Sequence, residues 1–332
     1  MKDPVLTKAV KGFSKLKVLC IGDLMLDTYY WGRSDRMSPE APVPIVSIDK
    51  KDHRLGGAGN VALNIKALGA TPYLCSVIGR DDAGDKILSL LKEHGISTDG
   101  ILQSDSRITT EKVRIFSKHQ QMLRYDTEVT EPLSKSETNK LVLTAFQYLN
   151  NSQVTLFQDY DKGVIHPLVI QSVISEANHH RVPVVVDPKF DNFMAYKNVT
   201  LFKPNLVEMS TVYKDINLIS DGPEADHSMD SIAKAARSLR ASLKNEHTFI
   251  TLGSKGIFVD TIDEHKLVPA NTIEVADVSG AGDTVISVAA LSIASQLDIF
   301  KTAELSNMAA GRVCQEVGVI PIYKDQLLEM LN

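Results

Sequence analysis

The stretch Asp277-Val278-Ser279-Gly280-Ala281-Gly282-Asp283-Thr284 passes without a break into an apolar run, and the reading of this junction decides the fold. Two glycines around one alanine allow a tight backbone turn with little side-chain obstruction. The run behind it, Ala281 to Ser295, is apolar on nearly every face, which predicts a central buried helix. The first turn of a helix has free N–H groups, and its dipole favours negative charge there by about 0.3–1 kcal/mol. Transfer of a phosphoryl group needs fixed donors of this kind. Asp283 is the anomaly, because a carboxylate inside an anion site repels a phosphate. Its useful role is to take a proton from an attacking hydroxyl, a task worth about 10²–10⁴ in rate. Taken alone, Asp283 is more simply a helix cap; Asp277 and the rest of the chain tip the reading towards a base.

Outward from this junction the chain alternates strands and helices. Lys17 to Ile21, Tyr73 to Ile78, Val154 to Gln158, Val182 to Val186, Val199 to Lys203, Thr248 to Leu252 and Gly256 to Thr261 read as strands. Helices are expected from Val61 to Leu68, around Ala83 to Leu91, after Ser134, over Pro167 to Asn178, over Ser228 to Leu243, over Lys301 to Glu316 and after Lys324. Ser134 with Glu137 matches a capping box. Strands alternating with helices argue for an α/β fold, a mostly parallel sheet covered on both faces. Residues 33–55 and 101–126 break the alternation. They hold β-like runs, prolines at 39, 42 and 44, and a turn at Lys118-His119, and are expected to form a small separate sheet. Tyr213 to His227 reads as a surface loop.

The 332 residues are 43% hydrophobic, ample for one large domain, and the net charge is -5. No basic arm or acidic tail stands out, so nothing favours nucleic acid or a membrane surface. Cys20, Cys75 and Cys314 lack metal-ligand spacing and read as reduced thiols. Met1 to Leu16 has no continuous apolar core of a secretory signal, and no stretch reaches the length of a membrane span, so the cytoplasm is expected.

Other polar groups are placed where ligands bind. Asp27 follows the first strand, and ligands of parallel sheets sit at strand ends. Gly56-Gly57-Ala58-Gly59-Asn60 lacks the spacing of a dinucleotide fingerprint, which disfavours an NAD-dependent oxidoreductase; its glycines suit close approach of a ligand to the backbone. Asn205-Leu206-Val207-Glu208 places a carboxylate one turn after an amide, able to hold metal-bound water, or simply to open a solvated helix. Thr251-Leu252-Gly253-Ser254-Lys255-Gly256 is a tight turn between strands.

The stretch 277–284 strongly resembles the second signature of the ribokinase-like (PfkB) carbohydrate kinases, and Gly56 to Asn64 resembles the first. The resemblance covers roughly residues 15–330. One departure is Val288, where the signature prefers a small residue. The resemblance implies one kinase domain over 1–332, ATP as donor with Mg²⁺, and Asp283 as catalytic base. Amides of Gly280, Ala281 and Gly282 would form the anion hole. Asn205, Leu206, Val207 and Glu208, with Thr251, Gly253 and Gly256, would serve the nucleotide, Glu208 reaching Mg²⁺ through water. Asp277 would lie near a monovalent cation such as K⁺, and Asp27, Gly56, Gly57 and Asn60 would hold the sugar. Residues 33–55 and 101–126 would form a lid pairing two copies as a homodimer.

A narrower resemblance rests on Tyr29-Tyr30-Trp31-Gly32, Arg36 to Pro44, Gln120-Gln121, Arg124-Tyr125-Asp126, Asp159 to Gly163 and Asp187-Pro188-Lys189. These are similar to the heptose 7-phosphate kinases of lipopolysaccharide-core biosynthesis. That implies phosphorylation of the C1 hydroxyl of D-glycero-β-D-manno-heptose 7-phosphate to the 1,7-bisphosphate. Arg36, Arg114, Arg124, Lys162 and Lys189 are the cations from which a phosphate site is expected. The nucleotidyltransferase motif His-x-Gly-His of bifunctional relatives does not occur, so a stand-alone kinase or an isolated kinase domain is expected. The alternatives are a kinase of another sugar phosphate, such as a fructose phosphate, and a non-catalytic regulator on the same scaffold.

Overall fold

The computed structural model describes residues 3–118, 120–212, 228–270 and 275–331. The loop expected at Tyr213 to His227 and His119 of the expected turn lie outside the described residues.

The elements follow as α1 (Pro4–Gly12), β1 (Lys17–Gly22), β2 (Leu24–Met37), β3 (Pro44–Gly57), α2 (Ala58–Ala67), β4 (Thr71–Gly79), α3 (Asp82–Glu93), β5 (Ile101–Ser104), β6 (Thr110–Ser117) and β7 (Gln120–Thr127). Then come α4 (Lys135–Leu149), β8 (Val154–Gln158), α5 (Pro167–His179), β9 (Val184–Asp187), β10 (Leu201–Phe202), α6 (Leu206–Val212) and α7 (Met229–Leu243). The chain closes with β11 (His247–Thr251), β12 (Ile257–Asp260), β13 (His265–Val268), α8 (Ala281–Ala294), α9 (Ile299–Val313) and α10 (Lys324–Met330).

The main sheet has the order β13-β12-β11-β10-β9-β8-β1-β4-β5. It is parallel except where β12 and β13 join antiparallel at one edge. Its inner strands are apolar on both faces, as a sheet covered twice requires. One face packs against α1, α2, α3, α8, α9 and α10, the other against α4, α5 and α7. The mostly parallel α/β architecture read from the alternation is the one present. Helix α8 is buried along most of its length, and the unexpected Val288 is fully enclosed there. The Ser134–Glu137 capping box starts α4.

A second sheet, β3-β2-β6-β7, stands apart. Strand β2 is longer than the sequence suggests, because Gly22-Asp23 interrupts the chain without ending its extension. The Asp23 carboxylate accepts the amides of Tyr160, Lys162 and Val164, and the chain leaves the main sheet at that point. Residues 101–126 are divided. Ile101–Ser104 pairs parallel with β4 in the main sheet, while β6 and β7 join β2. The small sheet therefore comprises 24–57 and 110–127. The sequence reading passed over α1, whose start is set by Asp3 as cap and Pro4 in the first turn. The strand expected to reach Lys203 ends at Phe202.

Candidate active site

Helix α8 begins at Gly280, whose φ of 81° lies in the left-handed region and which brings no capping side chain. A Cβ there would come within 3.1 Å of Asn60 Nδ2, so glycine meets both a steric and a conformational demand. The Ala281 N–H donates to Val278 O at 3.2 Å, so of the three expected anion-hole amides this one is already engaged.

Asp283, in the first turn of α8, is only 6% exposed. Its Oδ2 accepts from Asn60 Nδ2 at 2.6 Å, and its Oδ1 accepts from Tyr160 Oη at 2.9 Å and Gln158 Nε2 at 3.3 Å. Asn60 comes from the start of α2, Gln158 from the end of β8, and Tyr160 from the following loop. Burial, with the Asp187 carboxylate nearby, pushes the Asp283 carboxyl up to about 7, against the opposing pull of Asn60, Tyr160 and Lys203. A carboxyl titrating there is about half ionised at neutral pH, in the range that suits general-base work.

Beside it lies a buried ion pair, Lys203 Nζ to Asp187 Oδ1 at 2.9 Å. Burial works against the Lys203 charge, but Asp187 and Glu208 overcome it and hold the ammonium above its ordinary range. Lys203 and Asp187 both face Gly282.

A cavity of about 880 Å³ opens from Asp283. Gly280, Ala281, Gly282, Asn205, Leu206, Val207, Glu208, Thr251, Gly253 and Gly256 all line it, so the expected anion-hole and nucleotide residues are gathered around one cavity. Asn205 and Glu208 cap each other: the Glu208 N–H donates to Asn205 Oδ1 at 2.8 Å and the Asn205 N–H to Glu208 Oε2 at 2.9 Å. Glu208 is 4% exposed, not the solvated helix start that its sequence allowed. Lys189 Nζ reaches its Oε1 at 2.6 Å. Lys189, one of the expected phosphate cations, is thus the counter-charge of the buried Glu208 and lines the same cavity.

On the far side of Asn60 lies the root of the small sheet. Asp27 sits against Gly56, where any Cβ would strike its carboxylate, and Gly57 is folded on Asp23 O. Arg114 donates to Asp27 Oδ1 at 2.6 Å. The guanidiniums of Arg54 and Arg114 stack over Tyr29 at 5.1 and 5.3 Å. Arg124 lies opposite Arg114 in register but is paired with Asp126 at 2.7 Å. Lys162 is held by Glu128 at 3.0 Å, and Arg36 is exposed towards the far end of β2. Of the five expected cations, Arg114 and Arg124 are cross-strand partners, and Lys162 is linked to Arg124 through Glu128, Lys112 and Asp126. Asp277 accepts the Ser279 and Gly318 amides, each at 2.9 Å, and so ties two loops together.

Sequence reasoning missed Lys203, Gln158 and Arg54 and gave Tyr160 and Asp187 no role. A polar residue closing an apolar strand, as in Val154 to Gln158 and Val182 to Asp187, is the signal that points to three of them.

The family model for the pfkB family carbohydrate kinases matches residues 15–325. The chain belongs to this family. Among curated proteins, this pfkB kinase is 37% identical over 320 residues to the bifunctional protein HldE of Trichlorobacter lovleyi, covering 96% of this chain and 63% of that one. It is 38% identical over 334 residues to HldE of a Caulobacter species, strain K31, covering 99% and 66%. The pfkB chain thus spans a little under two thirds of the length of these relatives. Among solved structures, the tetrameric inhibited form of Escherichia coli phosphofructokinase-2 superposes with a TM-score of 0.76 at 17% identity, covering 95% of this chain and 98% of that one. Arabidopsis thaliana ribokinase complexed with ribose and ATP gives 0.73 at 17%, with the same coverage. At such identity these two speak for the fold alone.

Proposed function

We propose that the chain is an ATP-dependent kinase that phosphorylates the C1 hydroxyl of D-glycero-β-D-manno-heptose 7-phosphate to the 1,7-bisphosphate, as lipopolysaccharide-core assembly requires. The observation that carries the chemistry is the Asp283 carboxylate, buried at the uncapped turn of α8, lining the large cavity on one side and hydrogen-bonded to Asn60 on the other. The hydroxyl proton passes to Asp283 while the hydroxyl oxygen attacks the terminal phosphorus of ATP and ADP leaves. The Gly280–Gly282 turn and Lys203 face the charge that develops on the transferred group. Asp27, Gly56, Gly57 and Asn60 hold the sugar, and Arg114 and Arg124, neighbours on β6 and β7, take its phosphate. The motifs shared with heptose 7-phosphate kinases and the HldE relatives support the choice of sugar.

Glu208 lines the cavity and keeps a lone pair on each oxygen after accepting Lys189 and the Asn205 amide, which fits magnesium held through water. Bound there, the metal would neutralise phosphate charge. Asp277 brings one carboxylate towards a monovalent cation, and no step is routed through it.

In this reading the small sheet closes over the sugar and excludes water. Its outer surface exposes Ile48, Leu123 and Tyr125, an apolar set that suits a second copy of the chain. Leu123→Lys is expected to shift the sedimentation of a homodimer towards the monomer; an unchanged oligomer removes this face. Among the described residues no helix is long and apolar enough to cross a membrane, in keeping with action in the cytoplasm.

A panel of sugar phosphates with ATP tests the substrate. The heptose 7-phosphate should turn over fastest. Faster turnover of a fructose phosphate overturns the sugar, and no ATP consumption with any sugar turns the reading to a regulator.

A further inference from the structure

We propose that Tyr160 is a positioning residue for Asp283: its phenol, with Gln158, occupies one carboxylate oxygen and leaves the other to receive the sugar proton. This rests on Asp283 being the base.

A carboxylate offers about four lone-pair sites, two on each oxygen. Tyr160 Oη at 2.9 Å and Gln158 Nε2 at 3.3 Å fill both sites of Asp283 Oδ1. Oδ2 accepts from Asn60 alone, at 2.6 Å, and keeps one site open. The three donors thus select which oxygen acts and fix the direction of its lone pair.

The loop carrying Tyr160 is held far more firmly than a connection from β8 to α5 needs. Asp23 accepts the amides of Tyr160, Lys162 and Val164 at 2.8, 3.2 and 3.1 Å. The Asp159 amide donates to Asp187 O at 3.0 Å, and the Asp159 carboxylate accepts the Asp161 amide at 2.9 Å. Asp161, with φ of 54°, in turn accepts the amides of Phe190 and Asp191. Three carboxylates therefore anchor the first six residues of this connection, whose phenol ends on a fourth. Gln158 Oε1 is buried with no partner among the described residues, while its Nε2 spans Asp187 and Asp283. The amide is kept for its donor, at the expense of its acceptor.

The charged and titratable groups facing Asp283 are Asp187 from β9, Lys203 just past β10 and Tyr160; Asp27 also acts on Tyr160. Burial, with Asp283 and Asp187, raises the Tyr160 phenol well above its ordinary range, so it stays a donor wherever the enzyme works. Its hydrogen bond favours the ionised base. Loss of that bond raises the Asp283 pKa, and activity that needs the ionised form then begins at higher pH.

The test is the pH profile of kcat/KM, with ATP, Mg²⁺ and the heptose 7-phosphate, for the wild type, Tyr160→Phe and Asp283→Asn. Tyr160→Phe should move the acid limb up by about half to one pH unit, with kcat falling more than sugar KM changes. An unmoved limb with a uniform loss, the mark of a packing role, overturns the proposal, and so does a change confined to KM. Should that variant be unstable, Gln158→Met removes the other donor to Oδ1 and should move the limb the same way. A reading that needs no turnover is the Asp283 carboxyl followed by ¹³C NMR of aspartate-labelled enzyme, assigned with Asp283→Asn. Its midpoint should rise in Tyr160→Phe, and an unmoved midpoint counts against Tyr160. Wild-type turnover in Asp283→Asn would instead sink the base itself, whereas an inactive Asp283→Asn beside an unmoved limb in Tyr160→Phe sinks only the role of Tyr160.

Discussion

The two ends of the site are built by opposite means. At the α8 turn, Asp283, Asp187, Lys203 and Glu208 are all nearly buried, and each is matched to a donor or counter-charge. On the small sheet the ion pairs grow more exposed away from its root: Asp27 with Arg114 is largely enclosed, Arg124 is 44% exposed, and Arg33 with Asp49 lies open. A buried charge that loses its partner costs several kcal/mol, while an exposed pair contributes little and is screened by salt. The α8 end is thus held by buried contacts of the protein itself, and the sheet is the part whose contacts can be exchanged cheaply for a ligand.

The sharpest way to break this comparison is at its centre. Asp283→Asn keeps the shape of the turn and should lower kcat by about 10²–10⁴-fold while ATP binding persists, measured by turnover and by nucleotide titration. Asp187→Ala comes next. It leaves the buried Lys203 ammonium unpaired, and thermal or urea unfolding should show a loss of about 3–5 kcal/mol. A loss below about 1 kcal/mol would mean that water reaches the pair, and that this end is no more fixed than the sheet.

The pH dependence separates the ends again. With the Asp283 carboxyl pushed up to about 7, its ionised fraction falls as pH drops through neutrality. Wild-type kcat/KM should then fall about tenfold per unit below that point. The sign for stability is opposite. The folded-state pKa lies above the unfolded one, so the stabilising contribution of the protonated carboxyl is present below about pH 4 and is lost as pH rises through about 7. A flat activity profile from pH 5 to 8 would remove the buried carboxylate from the rate-limiting chemistry.

How much of this could be read beforehand differs between the ends in the same way. The glycine turn, the buried α8 and the parallel strands are local patterns, and each is present, β9 and β10 with shifted ends. The partners of Asp283 are not local: Asn60, Gln158 and Tyr160 lie more than a hundred residues away and converge only because β8 lies between β1 and β9 and α2 packs on α8. Lys189 shows the converse. Its charge and its place after Asp187 suit a sugar phosphate, and the burial of Glu208, which no periodicity over Asn205 to Val212 announces, gives it a partner that only the fold reveals. The extent of β2 was hidden because Gly22-Asp23 has the look of a strand end, and only the three amides on Asp23 show it to be a junction between two sheets.

The smallest expected effects sharpen the comparison within the sheet itself. Arg114→Ala removes the partner of the enclosed Asp27 and should raise sugar KM about 10–100-fold, the scale of a lost hydrogen bond to a charged group. Arg124→Ala touches a pair whose guanidinium is 44% exposed, so its cost to stability should stay within about 1 kcal/mol. Arg124 lies directly opposite Arg114, so a phosphate entering between them would trade the Asp126 contact for its own. Sugar affinity should therefore weaken more than turnover, less than in Arg114→Ala, and with a salt dependence that the Asp283 variants lack. Measured at two salt concentrations, an unchanged affinity in Arg124→Ala would confine the phosphate to the root of the sheet, on Arg114 and its neighbour across Tyr29, Arg54.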